Sequence, residues 1–364
     1  MKKSAGLFIL VMLVYTASVT AAVPTGYGLV WSDEFSGTTV DTNTWTFDTG
    51  VGNPPGWGNN ELEYYTGGAN FKDSAGYGIL IAKKENFGGR NYTSCRMNTM
   101  GKKAFKYGYF EARIKTPTGN GLWPAFWTLG SDFNTGVPWP SCGEVELYEQ
   151  RTGSVKHGGT AGDNCFIQTC HYATSYHGTT PSYNSHQTNN SNCLCSDFHT
   201  YSILWDSLGF TYYFDGTQTW TYSNINMANN EDSFHQTFFF IANIAIGGAY
   251  QGQDGGFVDN SIFPQEMYID YIRVYQKGVT STVAGPAERQ SVNPFAIVNP
   301  SKSQLKIFDL NGRLVADYTS NVRVLKAGDA AMKALPLGLC AGAYIARFYD
   351  GATAFTTQKL AASR

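Results

Sequence analysis

Short apolar and aromatic runs with polar residues at alternate positions recur between residue 23 and about residue 277. Three of these runs are GYFEARIKT (108–116), FTYYFDG (210–216) and MYIDYIRVYQ (267–276). A period of two is typical of strands, and no segment keeps the helical period over three turns. The pattern therefore predicts an all-β domain of two stacked antiparallel sheets, a β-sandwich.

The first 22 residues do not belong to this domain. Two lysines at positions 2 and 3 precede the apolar run GLFILVMLVYTA, and small residues follow up to Ala22. This order is typical of a secretory signal peptide, so we predict that residues 1–22 are removed on export. A membrane anchor is the alternative, but the run is short for a membrane span. No later segment is long and apolar enough to span a bilayer, so no stable membrane insertion is expected.

The pattern changes again after Gln276. Residues 278–294 are polar and contain no aromatic side chain, which predicts a linker. Residues 295–364 resume short β runs, and the dipeptide Asn311-Gly312 is typical of a hairpin turn. We expect a small C-terminal β-sandwich domain there.

Composition narrows the range of functions. Charged residues make up 15% of the chain and aromatic residues another 15%, and the formal net charge is −2. A chain without a basic excess does not hold a phosphate backbone, so nucleic acid is excluded as a partner. A surface of low charge with many aromatic rings suits a neutral polysaccharide, which offers no charge to attract.

Six of the seven cysteines lie between residues 95 and 195. In an exported chain some of them are expected to form disulfides, whose pairing the sequence leaves open. A zinc cluster with nearby histidines is the alternative, but the spacing is irregular and no CxxC pair occurs. The residues concerned are Cys95, Cys142, Cys165, Cys170, Cys193 and Cys195, with His157, His171, His177, His186 and His199.

Three glutamates in the segment EVELYE carry the candidate chemistry. On a strand Glu144 and Glu146 point to one face, whereas Glu149 returns to that face only through a β-bulge. The outer two carboxyl groups would then lie about 5 Å apart, which suits retaining glycoside hydrolysis. Glu146 between them adds like charge, which raises the pKa of a neighbouring carboxyl group. A solvated acidic face is the alternative.

The chain resembles the laminarinase-like β-glucanases of glycoside hydrolase family 16, whose motif is Glu-x-Asp-x-x-Glu. The similarity covers most of residues 27–277 and implies a β-jelly-roll sandwich of the concanavalin A type, with a substrate cleft on its concave face. The matching segments are WSDEFSG (31–37), GWGNNELEYYT (56–66), YGYFEARIKTPTGNGLWPAFWTLG (107–130), DFHTYSILW (197–205), YYFDG (212–216), IANIAIGG (241–248) and YIDYIRVY (268–275).

This resemblance implies a catalytic role for each of the three glutamates. Glu144 matches the nucleophile, Glu149 the general acid/base, and Glu146 the electrostatic helper. The family has Asp at the helper position, and the longer Glu can crowd or redirect Glu144. We therefore predict reduced but real activity, and faster hydrolysis after Glu146→Asp.

Aromatic and planar polar residues are the candidates for sugar binding. Trp123 and Trp127 are four residues apart and therefore share one face of a strand. For Trp127 contact with sugar and core packing both stay open. The residues that match the glucan contacts of the family are Asn59, Arg96, Trp123, Trp139 and His171.

Many members of the family hold a structural calcium on the convex side of the sandwich. The matching positions are Glu34, the carbonyl of Gly78, and Asp270, and oxygen-only ligands suit this cation. The alternative is that both acids lie at the surface without metal. Catalysis itself implies no cofactor.

The tail resembles the C-terminal sorting domains of bacteria that use type IX-like export. The matching segments are LKIFDLNGRLV, GLCAGAYIARFYDG and QKL. This resemblance implies contact with secretion machinery and a secreted or cell-surface location. A carbohydrate-binding module is the alternative, although residues 295–364 contain no Trp.

Together these features predict an exported, monomeric endo-β-glucanase that cleaves β-1,3 or mixed β-1,3-1,4 glucan with retention of configuration. A galactan hydrolase of the agarase or carrageenase type on the same fold is one alternative. A non-catalytic β-glucan-binding protein is the other. The sequence does not fix the linkage preference or the role of the Cys- and His-rich stretch at 151–196.

Overall fold

The computed structural model describes most of residues 23–279 and the backbone of four later strands. The described ranges are 23–153, 162–175, 178–223, 231–251, 257–279, 303–309, 314–317, 342–350 and 353–362. The predicted signal peptide and nearly all of the predicted linker lie outside these ranges.

Eighteen strands lie within the described part of residues 23–279. The first nine are β1 (Tyr27–Asp33), β2 (Thr46–Phe47), β3 (Thr49–Gly50), β4 (Glu63–Thr66), β5 (Phe71–Ser74), β6 (Tyr77–Phe87), β7 (Arg90–Ser94), β8 (Arg96–Asn98) and β9 (Gly108–Lys115). The next nine are β10 (Leu122–Gly130), β11 (Glu144–Glu149), β12 (Cys165–Ala173), β13 (Pro181–Asn189), β14 (His199–Trp205), β15 (Phe210–Phe214), β16 (Thr217–Tyr222), β17 (Phe238–Ile246) and β18 (Gln265–Lys277). Helical structure here consists of α1 (Glu231–Phe234) and two 3-10 turns, Ser131–Thr135 and Ala249–Gln251.

These strands form two sheets. The larger has the order β16-β15-β14-β9-β18-β6-β7-β4-β3, with β1 on β18 and β5 on β6. The smaller has seven strands in the order β13-β12-β11-β10-β17-β8-β2, and all of its neighbours are antiparallel. Strands adjacent in sequence are often separated in space, as in a jelly roll. The predicted all-β sandwich is confirmed.

One hydrophobic core lies between the two sheets. In β9, Phe110, Ala112 and Ile114 are fully buried in this core, while Glu111 and Arg113 alternate with them and face the other way. Each large side chain buried in this way stabilises the fold by about 1.5–3 kcal/mol. The face of the seven-stranded sheet turned away from the core is called the open face below.

The helices within the described ranges fall short of the length and apolar character needed to cross a bilayer.

The later strands form a separate four-stranded antiparallel sheet. They are β19 (Ser303–Asp309), β20 (Leu314–Asp317), β21 (Gly342–Asp350) and β22 (Thr353–Ala362), in the order β20-β19-β21-β22. The chain divides into two compact units between Ala284 and Gly285, and this sheet belongs to the second. The predicted Asn311-Gly312 turn lies outside the described residues, and the role of the tail stays a prediction.

The described cysteines form one disulfide. It joins Cys193 and Cys195, which flank a single residue, Leu194. Three further cysteines, Cys95, Cys142 and Cys170, are buried free thiols, and Cys165 is buried as well. Of the histidines in the zinc alternative, His157 and His177 lie outside the described residues.

Candidate active site

A β-bulge brings the three glutamates of β11 onto one face. The pairing of β11 with β10 skips Leu147, so Tyr148 and Glu146 lie opposite consecutive residues of β10. The pairing with β12 shifts at the same place. Val145, Leu147 and Tyr148 all belong to the core, so β11 presents its glutamates on the open face. The bulge expected from the sequence is present.

Burial raises the pKa of all three carboxyl groups. Glu146 and Glu149 are each 7% exposed, and desolvation is the largest cause of the increase at every member of the group. The pKa of Glu144 rises to about 8, with the charge of Glu149 as the second cause. Such close groups titrate together, and burial favours their protonated forms.

As a charged helper, Glu146 was expected to raise the pKa of a neighbouring carboxyl group, but its hydrogen bonds have the opposite effect. Its own pKa is raised well above the usual range, first by burial and then by the charge of Glu149. Its hydrogen bonds lower the pKa of both Glu144 and Glu149. This pattern is that of a neutral carboxyl group that donates to one flanking carboxylate or the other.

Some neighbours of Glu144 favour its ionised form, against the larger effects of burial and of the Glu149 charge. His171 lies directly opposite on β12, with its Nε2 atom 3.5 Å from Glu144 Oε1. Burial lowers the pKa of His171 to about 4, so its ring is neutral at pH 7. The Trp139 indole hydrogen-bonds Glu144, and the charge of Arg96 also lowers the pKa of this carboxyl group. These contacts suit a nucleophile, which must be a carboxylate.

Different residues surround Glu149. Trp123 Nε1 donates to Glu149 Oε1 at 2.7 Å. The Tyr250 ring lies 4.8 Å from the Trp123 ring, and the Arg151 guanidinium lies 4.0 Å from the centre of the Tyr250 ring. The charge of Arg151 lowers the pKa of Glu149, against the larger effect of burial. Sequence reasoning missed Tyr250 and Arg151, although Arg151 follows Glu149 by two residues.

Arg96 is held between two tryptophan rings. Its guanidinium lies 4.8 Å from the centre of the Trp57 ring and 5.0 Å from that of Trp127, and its Nε donates to Asp48 Oδ2 at 3.0 Å. Trp127 Nε1 in turn donates to Asn243 Oδ1 at 2.8 Å. Trp127 is half-buried against a small apolar cluster, so it both packs and reaches the open face.

A buried carboxylate connects Asn59 to this arrangement. Glu61 accepts hydrogen bonds from Asn59 Nδ2 and from the Tyr65 hydroxyl, both at 3.2 Å. Asn243 Nδ2 donates to the same Tyr65 hydroxyl at 3.4 Å. A chain of hydrogen bonds therefore runs from Glu61 through Tyr65 to Asn243, which also accepts from Trp127. Sequence reasoning missed Glu61, Tyr65 and Asn243. The alternating polar positions of NNELEYYT were the available signal for Glu61 and Tyr65, and no local signal marked Asn243.

The two carboxylates among the predicted calcium ligands, Glu34 and Asp270, are already engaged by arginines. Glu34 accepts two hydrogen bonds from Arg273, at 2.8 and 2.9 Å, and Asp270 accepts one from Arg113 at 2.7 Å. Calcium requires six to eight oxygen ligands. Two carboxylates neutralised by guanidinium groups do not fit that requirement as arranged here.

A β-sandwich that carries two buried carboxyl groups, one hydrogen-bonded to Trp123 and the other to Trp139, fits the class of the glycoside hydrolases. Residues 58–273 match the Glycosyl hydrolases family 16. The chain belongs to this family.

Individual relatives agree with the family. The beta-glucanase of Rhodothermus marinus is 37% identical over 259 residues, which cover 68% of this chain and 85% of that protein. The clotting factor G alpha subunit of Tachypleus tridentatus is 38% identical over 71% of this chain, but the match spans only 35% of that longer protein. The crystal structure of laminarinase from Flavobacterium sp. UMI-01 matches 68% of this chain and 100% of its own, with 39% identity and a TM-score of 0.57.

Proposed function

We propose that the protein is an endo-β-glucanase that cleaves β-1,3 or mixed β-1,3-1,4 glucan with retention of configuration. The bulge in β11 carries this proposal, because it turns Glu144 and Glu149 to one face and gives them different partners. Two carboxyl groups in different environments can take different roles. The relatives named beta-glucanase and laminarinase support a β-glucan as substrate.

In the proposed reaction, Glu149 donates its proton to the glycosidic oxygen while Glu144 attacks the anomeric carbon. The bond to the leaving sugar breaks and a glycosyl ester forms on Glu144. Glu149 then takes a proton from water as the water attacks the anomeric carbon and releases Glu144. The hydrogen bond from Trp123 holds Glu149 in place for both proton transfers.

Aromatic rings on both sides of β11 support internal cleavage. Trp123 and Trp127 lie on β10 on one side. On the other side, His171 pairs with Tyr183 of β13, whose ring is 64% exposed and lies 5.6 Å from the His171 ring. Sugar rings stack on such side chains through their apolar faces. A binding surface that continues in both directions from the site of cleavage suits a polysaccharide.

Reducing-sugar release from laminarin, lichenan, agarose and carrageenan tests the proposal. We expect hydrolysis of laminarin, lichenan or both, and none after Glu144→Gln. Hydrolysis of agarose or carrageenan alone would indicate the galactan hydrolase. Affinity for laminarin without hydrolysis of any of the four would indicate the glucan-binding protein.

We also propose that the protein acts outside the cell, as a monomer. The signal-peptide pattern of residues 1–22 and the resemblance of the tail to sorting domains support this location. Deletion of 295–364 is expected to retain the protein in the cell or periplasm without changing the kcat of the purified enzyme. Loss of affinity for insoluble glucan instead would favour a carbohydrate-binding tail. Size-exclusion chromatography with light scattering tests the monomer.

A further inference from the structure

Two glutamates and a histidine of the open face bring together donor atoms that suit a transition metal. Glu144, Glu146 and His171 each offer one ligand atom, and these atoms lie within 4.8 Å of one another. No other such group of three or more occurs within the described ranges. The combination of one imidazole and two carboxylates is a donor set that zinc and copper accept.

Two of the three donors are already at ligand spacing. Ligands bound tetrahedrally at about 2.0–2.1 Å from zinc lie about 3.4 Å from one another. His171 Nε2 and Glu144 Oε1 are 3.5 Å apart, since neighbouring strands hold these residues directly opposite each other. The ligand atoms lie at most 4.8 Å apart, so the third donor, on Glu146, must approach by at most about 1.4 Å to reach that spacing.

A separate observation at Glu146 points to a missing partner. Its side chain is 7% exposed, and its Oε2 atom is buried without a hydrogen-bond partner. Nearly all buried polar atoms in native proteins have a partner, so such an atom calls for an explanation. Glu146 shares a proton with Glu144 and Glu149, and a cation that displaces this proton would give the buried Oε2 atom a partner without a hydrogen bond.

We propose that Glu144, Glu146 and His171 form a binding site for one divalent transition cation of the zinc and copper class, completed by water. Calcium and magnesium are excluded as preferred occupants, because they favour oxygen ligands and higher coordination numbers. A bound cation engages the oxygen with which Glu144 would attack, and it therefore blocks glucan hydrolysis. The binding depends only on the donor atoms, whereas this consequence rests on the proposed function.

Titration of the full-length, tag-free protein tests the site directly. Isothermal calorimetry with Zn²⁺ is expected to show one ion per chain. Electron paramagnetic resonance with Cu²⁺ is expected to show hyperfine coupling to one imidazole nitrogen, which His171→Asn abolishes. Glu146→Gln and His171→Asn should each weaken Zn²⁺ binding at least about tenfold, because loss of even a second-shell group costs that much.

Glu149→Gln is the matched control. It removes a neighbouring buried carboxyl group that is not a ligand and whose charge raises the pKa of both glutamate ligands, so any loss of Zn²⁺ affinity should stay below about threefold, well below the cost of a lost ligand. Thermal melts confirm that each variant is folded. Equal loss of affinity in Glu146→Gln and Glu149→Gln would overturn the site, because the effect would then be general charge. A dissociation constant of the parent above about 1 mM would also overturn it.

Zinc binding and glucan cleavage can be measured separately on the same protein, so the metal site and the proposed function can fail independently. The Glu149→Gln variant binds glucan without cleaving it under the proposed mechanism, so laminarin oligosaccharides should weaken its apparent Zn²⁺ affinity. Zinc binding at the three residues in a protein that cleaves no glucan would support the site and overturn the proposed function. Cleavage of glucan without zinc binding would overturn only the metal site.

Discussion

Two groups of three acids lie on opposite faces of the sandwich, and among the described residues arginines pair with two members of one group but with none of the other. The outer acidic group consists of Glu34, Glu111 and Asp270 on the larger sheet. Arg273 binds Glu34 and Arg113 binds Asp270. Glu111 is 2% exposed and accepts hydrogen bonds from two tyrosine hydroxyls, Tyr271 at 2.8 Å and Tyr109 at 3.0 Å.

The acids of β11 have few such partners. The ion pairs within the described ranges include one member of this group, Glu144, and its partner His171 is neutral at pH 7. Glu144, Glu146 and Glu149 instead share hydrogen bonds among themselves. The outer group stabilises the fold, whereas the β11 group keeps carboxyl groups that can gain and lose protons. Such a group costs stability, as functional sites often do.

The largest expected difference between the two groups is in activity. Glu144→Gln and Glu149→Gln should each lower kcat/KM on laminarin by at least about 10³-fold, since general acid–base catalysis alone contributes 10²–10⁴. An aryl β-glucoside with a good leaving group needs little protonation, so Glu149→Gln should lose much less on it than Glu144→Gln. Glu111→Gln is the control and should keep parental activity. Equal losses of all three variants would remove the distinction between the groups.

Substitutions in the two acidic groups should change the free energy of unfolding in opposite directions. Arg273→Met leaves Glu34 without its charged partner and should lower the free energy of unfolding by about 1–3 kcal/mol. Glu146→Gln removes a carboxyl group whose protonated form the fold favours, so folding at pH 7 no longer requires proton uptake there, and that free energy should rise by about 1 kcal/mol. Urea denaturation at pH 7 measures both. A destabilised Glu146→Gln variant would show that the β11 group supports the fold.

The pH dependence of stability gives a second measure of the same contrast. The pKa of Glu144 rises from 4.5 to about 8 on folding, so between these values the folded protein holds protons that the unfolded chain has lost. The free energy of unfolding therefore falls as pH rises through this window. Glu146→Gln should flatten this slope, and Glu111→Gln should change it less. A stability that increases from pH 5 to pH 8 would contradict the raised pKa values.

A smaller effect is expected from the residues that hold the sugar-binding side chains. Glu61→Gln weakens its hydrogen bonds to Asn59 and Tyr65, which should raise KM for laminarin about tenfold, equivalent to about 1.4 kcal/mol. The kcat should stay near that of the parent, because Glu61 has no contact with the β11 acids among the hydrogen bonds described. Glu85→Gln, at an exposed position on β6, is the matched control. A loss in kcat with unchanged KM would place Glu61 in the chemistry itself.

Much of this arrangement could be predicted from local sequence. The alternation in segments such as GYFEARIKT predicts strands, and the spacing of EVELYE requires a bulge if Glu149 is to join Glu144. The connections through Asn243 and Tyr250 could not be predicted in this way, since these residues come close to the site only through the pairing of β17 with β10 and the turn that follows. The proton held by Glu146 also depends on burial, which the spacing of charges does not reveal.

Position 146 itself allows a test of side-chain length. Glu146→Asp keeps the charge and restores the residue of the family motif, and we expect a modest increase in kcat on laminarin, about twofold to fivefold, or less than about 1 kcal/mol in the activation barrier. The shorter side chain should relieve crowding of Glu144. A slower Glu146→Asp variant would show that the site of this chain has adapted to the longer residue.

The smallest expected effect concerns calcium at the outer acidic group. The resemblance to the family implies a structural ion at Glu34, Gly78 and Asp270, whereas Arg273 and Arg113 already neutralise both carboxylates. If the arginines occupy the place of the ion, a chelator should shift the melting temperature by less than about 2 °C, which corresponds to less than about 1 kcal/mol for a domain of this size. Differential scanning calorimetry with calcium and with chelator measures the shift.

A larger loss of thermal stability on chelation would mean that calcium binds the native protein and displaces at least one arginine, because ligands stabilise only the state that binds them. In that case the two acidic groups would differ less than the arginine contacts indicate, since each would then bind a cation from solution.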